Sequence, residues 1–324
     1  MILNLCKEVI ERGGRVKPIL IPSELTGGTG LTNPSILIEG KKILVNLRHV
    51  QYTLYHSENS QKFQNAFGGP LAYLHPEDDL TLTTVNYLCE VDADSLEIKN
   101  VNKVDTSKLD VAPLWEFIGL EDARLVRWND KLYLSGVRRD TTTNGVGRME
   151  LSQIVDNIEI SRNRIEPPSP TYCEKNWMPV LDIPYHYIKW TNPTEVVEVD
   201  LFTNNAKTVF LGEQIIPLPR DIRGGSQVLQ YKGYRIALTH EVDLFKTEKG
   251  NKDAHYYHRF IVWDQNWNIV SVSDDFKFMT GMVEFSCGLA IQENSALITF
   301  GFQDNVPYFL EIPLDYFDEL LNIK

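Results

Sequence analysis

Gly119-Leu120-Glu121-Asp122-Ala123-Arg124 sets two carboxylates and an arginine side by side. The run that follows, with Leu125, Val126 and Trp128, predicts a β-strand. A carboxyl group placed against a leaving oxygen is what general acid catalysis of glycoside or phosphate-ester cleavage needs. Successive strand residues point to opposite faces, so regular pleating lets only one of Glu121 and Asp122 meet a ligand. Asp122 is expected to take that part, with Glu121 bracing Arg124 or a backbone amide. An isolated cluster of this kind reads as a solvated ion pair; the same local plan at four other places in the chain gives it weight.

The end of the same unit and those other places supply the remaining candidates. Arg48, Arg138, Arg139 and Lys175 could hold an anion such as phosphate, and pleating lets only one of the adjacent pair Arg138 and Arg139 face a site. Asn176, Gln227, His240, Glu284 and Asp304 are polar residues at matching positions and are candidate substrate contacts, and His258, in the aromatic run Tyr256-Tyr257-His258-Arg259-Phe260, is a further candidate. Each histidine has a competing reading as a hydrogen-bonded structural group. Tyr52, Trp177 and Trp190 could stack on sugar faces, or fill a β-rich core.

The elements that must position these residues form a degenerate internal repeat. Each unit has a polar opening motif, a strand, a tight turn and a second strand ending in polar residues. The units run from Asn33-Pro34-Ser35 to Arg48, from Gly119 to Arg138-Arg139, from Glu174-Lys175-Asn176-Trp177 to Lys189-Trp190, from Gly224-Gly225-Ser226-Gln227 to His240-Glu241, and from Glu284 to Gln303-Asp304. Glu39-Gly40, Asn129-Asp130, Lys232-Gly233 and Asn294-Ser295 are the expected hairpin turns. Further strand candidates follow each hairpin. Four strands repeated five times predict an all-β fold, a five-bladed β-propeller with short terminal helices over residues 2–12 and 314–321. A single domain over residues 1–324 is expected, with blades at roughly 30–100, 117–168, 174–216, 222–279 and 281–324. In an antiparallel hairpin the start of one strand and the end of the next share an edge. The opening motifs and strand ends should therefore crowd one rim of the channel, as a substrate pocket requires.

Composition bounds the rest. The net charge of -12 counts against a nucleic-acid backbone or an anionic membrane as the main partner. Cys6, Cys89, Cys173 and Cys287 are scattered without a C-x-x-C, as expected of free thiols in a reducing compartment. No apolar run approaches ~18 residues, so no membrane span is expected, and a cytoplasmic location is. No P-loop, G-x-S-x-G, dinucleotide fingerprint or metal-ligand spacing occurs, so neither cofactor nor metal is expected.

The motifs together resemble glycoside hydrolase family 130, the β-mannoside phosphorylases and hydrolases. Gly119 to Arg124 is similar to the G-x-E-D-P-R signature, with Ala123 in place of its proline. Asn33-Pro34-Ser35 with Arg48, and Lys175-Asn176-Trp177-Met178-Pro179, extend the likeness over most of the chain. The resemblance implies a five-bladed propeller and an inverting displacement with Asp122 as general acid. It also implies a phosphate held by arginine, lysine and histidine, for which Arg138 or Arg139, Lys175 and His240 are the counterparts. The expected function is transfer of a mannosyl-type glycosyl group, by phosphorolysis or from a phosphate-activated sugar donor. Two rival expectations are an inverting hydrolase, with Glu284 or Asp304 activating water, and a non-catalytic carbohydrate-binding propeller.

Overall fold

The computed structural model describes residues 2–50, 53–56, 71–74, 81–213, 220–246 and 252–323. Their β-branched and aromatic runs form antiparallel sheets arranged as in a propeller. Four sheets are regular. The first joins Leu31–Glu39, Lys42–Val50, Leu82–Val91 and Ile98–Lys103, with Phe117–Ile118 added in parallel; the second joins Glu121–Trp128, Lys131–Arg138, Arg148–Val155 and Ile158–Arg164. The third contains Met178–Pro179, His186–Thr191, Thr194–Asp200 and Asn205–Leu211. The fourth contains Glu284–Ile291, Ser295–Phe302, Val306–Pro313 and, as its outermost strand, Arg15–Pro18 from the start of the chain.

The expectation of five like blades is thereby corrected: four blades are regular, and the unit expected at 222–279 is built differently. It lies in a seven-stranded sheet around the long ribbon of Tyr234–Lys246 and Lys252–Trp263. Its first strand is broken into Arg223–Gly224 and Leu229–Tyr231, both paired to Tyr234–Lys246. Its far side is split into Ile269–Val272 and Phe276–Lys277, and the latter takes Leu3–Asn4 as a parallel partner. Neighbouring sheets pack through their first strands: Leu31–Glu39 touches both Glu284–Ile291 and Glu121–Trp128, and Glu121–Trp128 touches Met178–Pro179.

Local chemistry explains the hairpins. Asn129 and Asp130 have φ 49° and 61°, and Lys232 and Gly233 have φ 49° and 81°. Two successive positive φ values define the turn whose twist matches the flanking strands. The turn expected at Glu39-Gly40 falls one residue later, because Glu39 still pairs with Lys42. The N-terminal helix spans only Leu5–Glu11, since Leu3–Asn4 is a strand; Asn4 Oδ1 then caps it by accepting from Lys7 N at 3.0 Å. The C-terminal helix is Leu314–Leu321. Between the second and third sheets lie Trp128, Tyr133, Trp177 and Tyr187, with Trp128 Nε1 donating to Val180 O at 2.9 Å. Burial of each such side chain contributes on the order of 2 kcal/mol, which fixes the first strands and hence the rim.

Candidate active site

The opening motifs do not follow regular pleating. Asn33, Asp122 and Asn176 have φ 44°, 50° and 61°, a left-handed conformation that asparagine and aspartate tolerate better than most residues. Register shifts fall between Thr32 and Ser35, between Glu121 and Arg124, and between Ser286 and Gly288. A bulge of this kind re-aims side chains, and here it overturns the expectation that Glu121 and Asp122 face opposite ways.

Both carboxylates meet one guanidinium. Arg48 Nη1 donates to Asp122 Oδ1 at 2.8 Å, Nη2 to Glu121 Oε2 at 2.9 Å, and Nε to Thr84 Oγ1 at 3.1 Å. Asn33 Nδ2 adds a bond to Asp122 Oδ1 at 2.7 Å. Asp122 Oδ2 has no partner among the described residues, and the side chain is 18% exposed. Burial pushes the Asp122 carboxyl up, but Arg48, the Asn33 amide, Arg124 and Lys175 outweigh it and hold it below its ordinary value. For Glu121, burial wins over Arg48 and the carboxyl is raised, with the Asp122 charge adding to the effect. Asp304, at φ 50°, sits beside them and is raised by burial against the pull of Arg48, with the Asp122 charge adding to the rise.

Arg124 is not braced by either acid. Its Nε donates to Gly225 O at 2.8 Å, Nη1 to the backbone O of Asp122 at 2.6 Å, and Nη2 to Asn176 Oδ1 at 3.4 Å. It therefore ties three opening motifs together from beneath. A Cβ at Gly224 would collide with Asn176 O, so glycine is needed where the third and fourth motifs approach.

Lys175 is exposed, has no hydrogen-bond or ion-pair partner among the described residues, and its charge reaches Asp122, Glu121 and His240. His240 is buried, with Nδ1 2.9 Å from Gly224 O, and that carbonyl needs Nδ1 as the donor. Burial first, then His258, Arg124, Arg223 and Lys175, push it well below its ordinary value. It is a neutral ring beside the site rather than a cation. Arg139 is the member of its pair that faces Glu121; its Nε donates to Gly145 O at 3.0 Å and its guanidinium lies 4.9 Å over Phe117.

Several expected rim residues lie elsewhere. Arg138 is buried against Glu150 (2.7 Å), Asp140 (3.4 Å) and Glu159 (3.9 Å), so it has no guanidinium edge for phosphate. Gln227 is fully buried and crosses the axis, its Nε2 donating to Ile36 O and Leu125 O, both at 2.8 Å. Glu284 is also fully buried and accepts from the backbone N–H groups of Phe278 (2.7 Å), Met279 (3.1 Å) and Gly281 (2.8 Å), which excludes it as a base. His258 packs on Phe276 and Phe278 with neither ring nitrogen bonded, and burial lowers it to about 3. Gln227 and Glu284 share a cause: a polar residue at the end of a strand can serve backbone groups of the core as readily as a ligand, whereas Arg138 is taken up by buried carboxylates and His258 by aromatic rings. Trp177 is likewise a core residue, donating from Nε1 to Glu174 Oε2 at 2.8 Å, while Trp190 is 37% exposed and Tyr52 lies outside the described residues.

Sequence reasoning missed Arg223 and Thr32. Arg223 is half-buried, has no partner among the described residues and acts on His240, its cross-strand neighbour. It directly precedes Gly224-Gly225, which was the available signal. Thr32, next to Asn33, is fully buried and bonds both Asn33 and Asp304. Among the described residues no group of three or more His, Cys, Asp or Glu is placed to hold a metal, and no helix is long and apolar enough to cross a membrane.

No family model matches the sequence, and no curated protein matches it. Solved structures do. A β-1,2-mannobiose phosphorylase from Listeria innocua, in complex with β-1,2-mannobiose, aligns over 95% of this chain and 94% of its own with a TM-score of 0.57 at 13% identity. The mannose phosphorylase MPT-4 from Leishmania mexicana, in complex with a phosphate ion, aligns over 96% and 92% with a TM-score of 0.55 at 12% identity. A structure from the family 130 mannoside phosphorylases, described with glycoside hydrolases that target β-1,2 mannosidic linkages in Candida mannan, covers 87% and 84% with a TM-score of 0.55 at 12% identity. At such identities the likeness concerns the fold, and the fold of this chain is a propeller like that of glycoside hydrolase family 130.

Proposed function

We propose that this chain is a carbohydrate-active enzyme that transfers a mannosyl group with inversion, using Asp122 as the proton-transferring carboxyl and phosphate as nucleophile or as part of the sugar donor. In this reading the seven-stranded sheet serves as the fifth blade of a single domain, and phosphate is the only co-substrate. The observation that carries the proposal is the asymmetry of Asp122: Oδ1 is anchored by Arg48 and Asn33 while Oδ2 is open. Lys175 and Arg223, both without partners among the described residues, supply the positive charge for an anion.

Asp122 is held low in the free protein and is therefore ionised at neutral pH. A bound sugar that covers Oδ2 and a phosphate that adds negative charge would both raise its proton affinity. In phosphorolysis the bond from C1 to the leaving oxygen breaks and a bond from C1 to a phosphate oxygen forms. The P–OH proton ends on the leaving oxygen, passing through Asp122 or a substrate hydroxyl. Synthesis runs the same steps backwards.

The test incubates the protein with β-linked manno-oligosaccharides, with and without inorganic phosphate, and follows mannose 1-phosphate and free mannose. Phosphate-dependent mannose 1-phosphate that disappears in Asp122→Asn supports the proposal. Phosphate-independent mannose would establish a hydrolase. Full activity in Asp122→Asn would overturn the role of Asp122.

A further inference from the structure

A hydrogen bond needs one proton, and the chain Asp304–Thr32–Asn33–Asp122 fixes where the protons are. Asn33 Nδ2 faces Asp122 Oδ1 at 2.7 Å, so the amide oxygen of Asn33 must face the other way. That oxygen lies 2.7 Å from Thr32 Oγ1. Thr32 owns one hydroxyl proton, and only that proton can join two oxygens at this separation. Thr32 Oγ1 is also 3.1 Å from Asp304 Oδ1. With the Thr32 proton directed at Asn33, this longer second contact is a full hydrogen bond if Asp304 brings the proton, and otherwise a three-centre share of the Thr32 proton.

We propose that Asp304 is a neutral carboxylic acid in the free protein and donates to Thr32, acting as a positioning residue that aims the Asn33 amide at Asp122. Among the described residues the charged and titratable groups that face Asp304 are Arg48 and Asp122, with the Thr32 hydroxyl in contact; Glu121 and Lys175 lie one step further, around Asp122. Burial, the largest influence, and the negative charge of Asp122 raise Asp304 against Arg48 and the Thr32 hydroxyl, and together they prevail. The pair thus holds one proton: Asp304 carries it and Asp122 stays anionic. Two acids driven apart by their surroundings can divide roles in this way. Asp304 then lacks the charge to activate water, which favours phosphate over water as nucleophile at the site of the proposed function. The proton inventory itself is a property of the ligand-free protein and does not rest on which transfer is catalysed.

The test is carboxyl-selective ¹³C NMR of aspartate-labelled protein without ligand, titrated through the carboxylate range. The expected result is one aspartate carboxyl that titrates above the ordinary aspartate range and whose resonance vanishes in Asp304→Asn. In Asp122→Asn the same resonance should titrate lower, because its anionic neighbour is gone. Asparagine keeps a donor and tolerates φ 50°, so Asp304→Asn should lower kcat/KM less than a change that breaks the chain of hydrogen bonds. Thr32→Val breaks the chain and should lower kcat/KM by about tenfold to a hundredfold, with Thr32→Ser close to wild type. The inference is overturned if no aspartate titrates high, if the high resonance survives in Asp304→Asn, or if Asp304→Asn loses more than about a hundredfold. An ionised Asp304 sharing a three-centre proton from Thr32 would give the first of these results.

Discussion

Two arginine–carboxylate clusters lie close together in this molecule and have opposite characters. In one, Arg138 is enclosed by Glu150, Asp140 and Glu159, and Arg162 grips Glu159 and Asp110 at 2.6 Å. Glu150 Oε1 also accepts from Ser152, and Asp140 Oδ2 from the backbone N of Gly119. The Glu150 and Glu159 side chains are 2% exposed. In the other, Arg48 holds Glu121 and Asp122, yet Asp122 keeps an open oxygen at 18% exposure. The residue types are the same. What differs is the backbone: Arg138 and Glu150 lie in regular strands, whereas Asp122 sits at a bulge with positive φ. Saturated, a cluster binds strands together; opened by a bulge, it leaves an acid available for chemistry.

The contrast can be broken by exchanging the consequences of mutation. The largest effect is expected for Asp122→Asn, which should lower kcat by about 10² to 10⁴ while the thermal midpoint stays near wild type. If stability collapses instead, the Arg48 cluster is structural too. Next is Arg138→Met, which strands several buried carboxylates and should cost about 3–5 kcal/mol in denaturant unfolding; a stable, active variant would show that the second cluster is dispensable. Lys175→Ala should raise KM for phosphate by about tenfold, equal to the loss of one charge-assisted contact, with an unchanged thermal midpoint. An unchanged KM would remove Lys175 from the anion site.

The smallest effect sharpens the comparison through pH. Burial raises Glu121, Glu150, Glu284 and Asp304. A raised carboxyl binds its proton more tightly folded than unfolded, so its ionisation costs stability, and the cost disappears as pH falls below the folded value. Asp122 is lowered and works the other way: its contribution is present above the ordinary carboxylate value and is lost as pH falls through the folded one. Exposed carboxylates that are also lowered, such as Asp92 and Asp200, are screened by solvent and weigh little. The thermal midpoint should therefore rise by a few degrees from neutrality toward the ordinary carboxylate range and fall beyond it. A monotonic fall from neutrality would show that the raised carboxyls are not the dominant titrating groups.

Much of this was legible in the sequence where local chemistry decides. Asn129-Asp130 and Lys232-Gly233 announced their turns because few residues accept two positive φ values in a row. The repeat placed Glu121, Asp122, Arg48, Lys175 and Asp304 together because hairpin ends share an edge. Gln227 was misread because its partners are backbone groups distant in sequence, which no local pattern reveals, and Glu284 because its carboxylate folds back onto backbone N–H groups of the loop just before it. Leu3–Asn4 and Arg15–Pro18 were missed as strands for the same reason: each is short, and its pairing partner lies hundreds of residues away. The shared orientation of Glu121 and Asp122 depends on a bulge, and alternation rules assume none.

The positive φ of Asn33, Asp122 and Asn176 bears on how such a protein changes over generations. A backbone held in that conformation favours aspartate, asparagine and glycine over most other residues. At Asp122 this narrow set contains the acid the proposed chemistry needs, the amide that would silence it, and a residue with no side chain at all. Catalysis could be switched off here in a single exchange that leaves the propeller intact, and restored by the reverse exchange. A descendant that had kept the fold but given up the reaction for binding alone would differ first at this position, and would still fold.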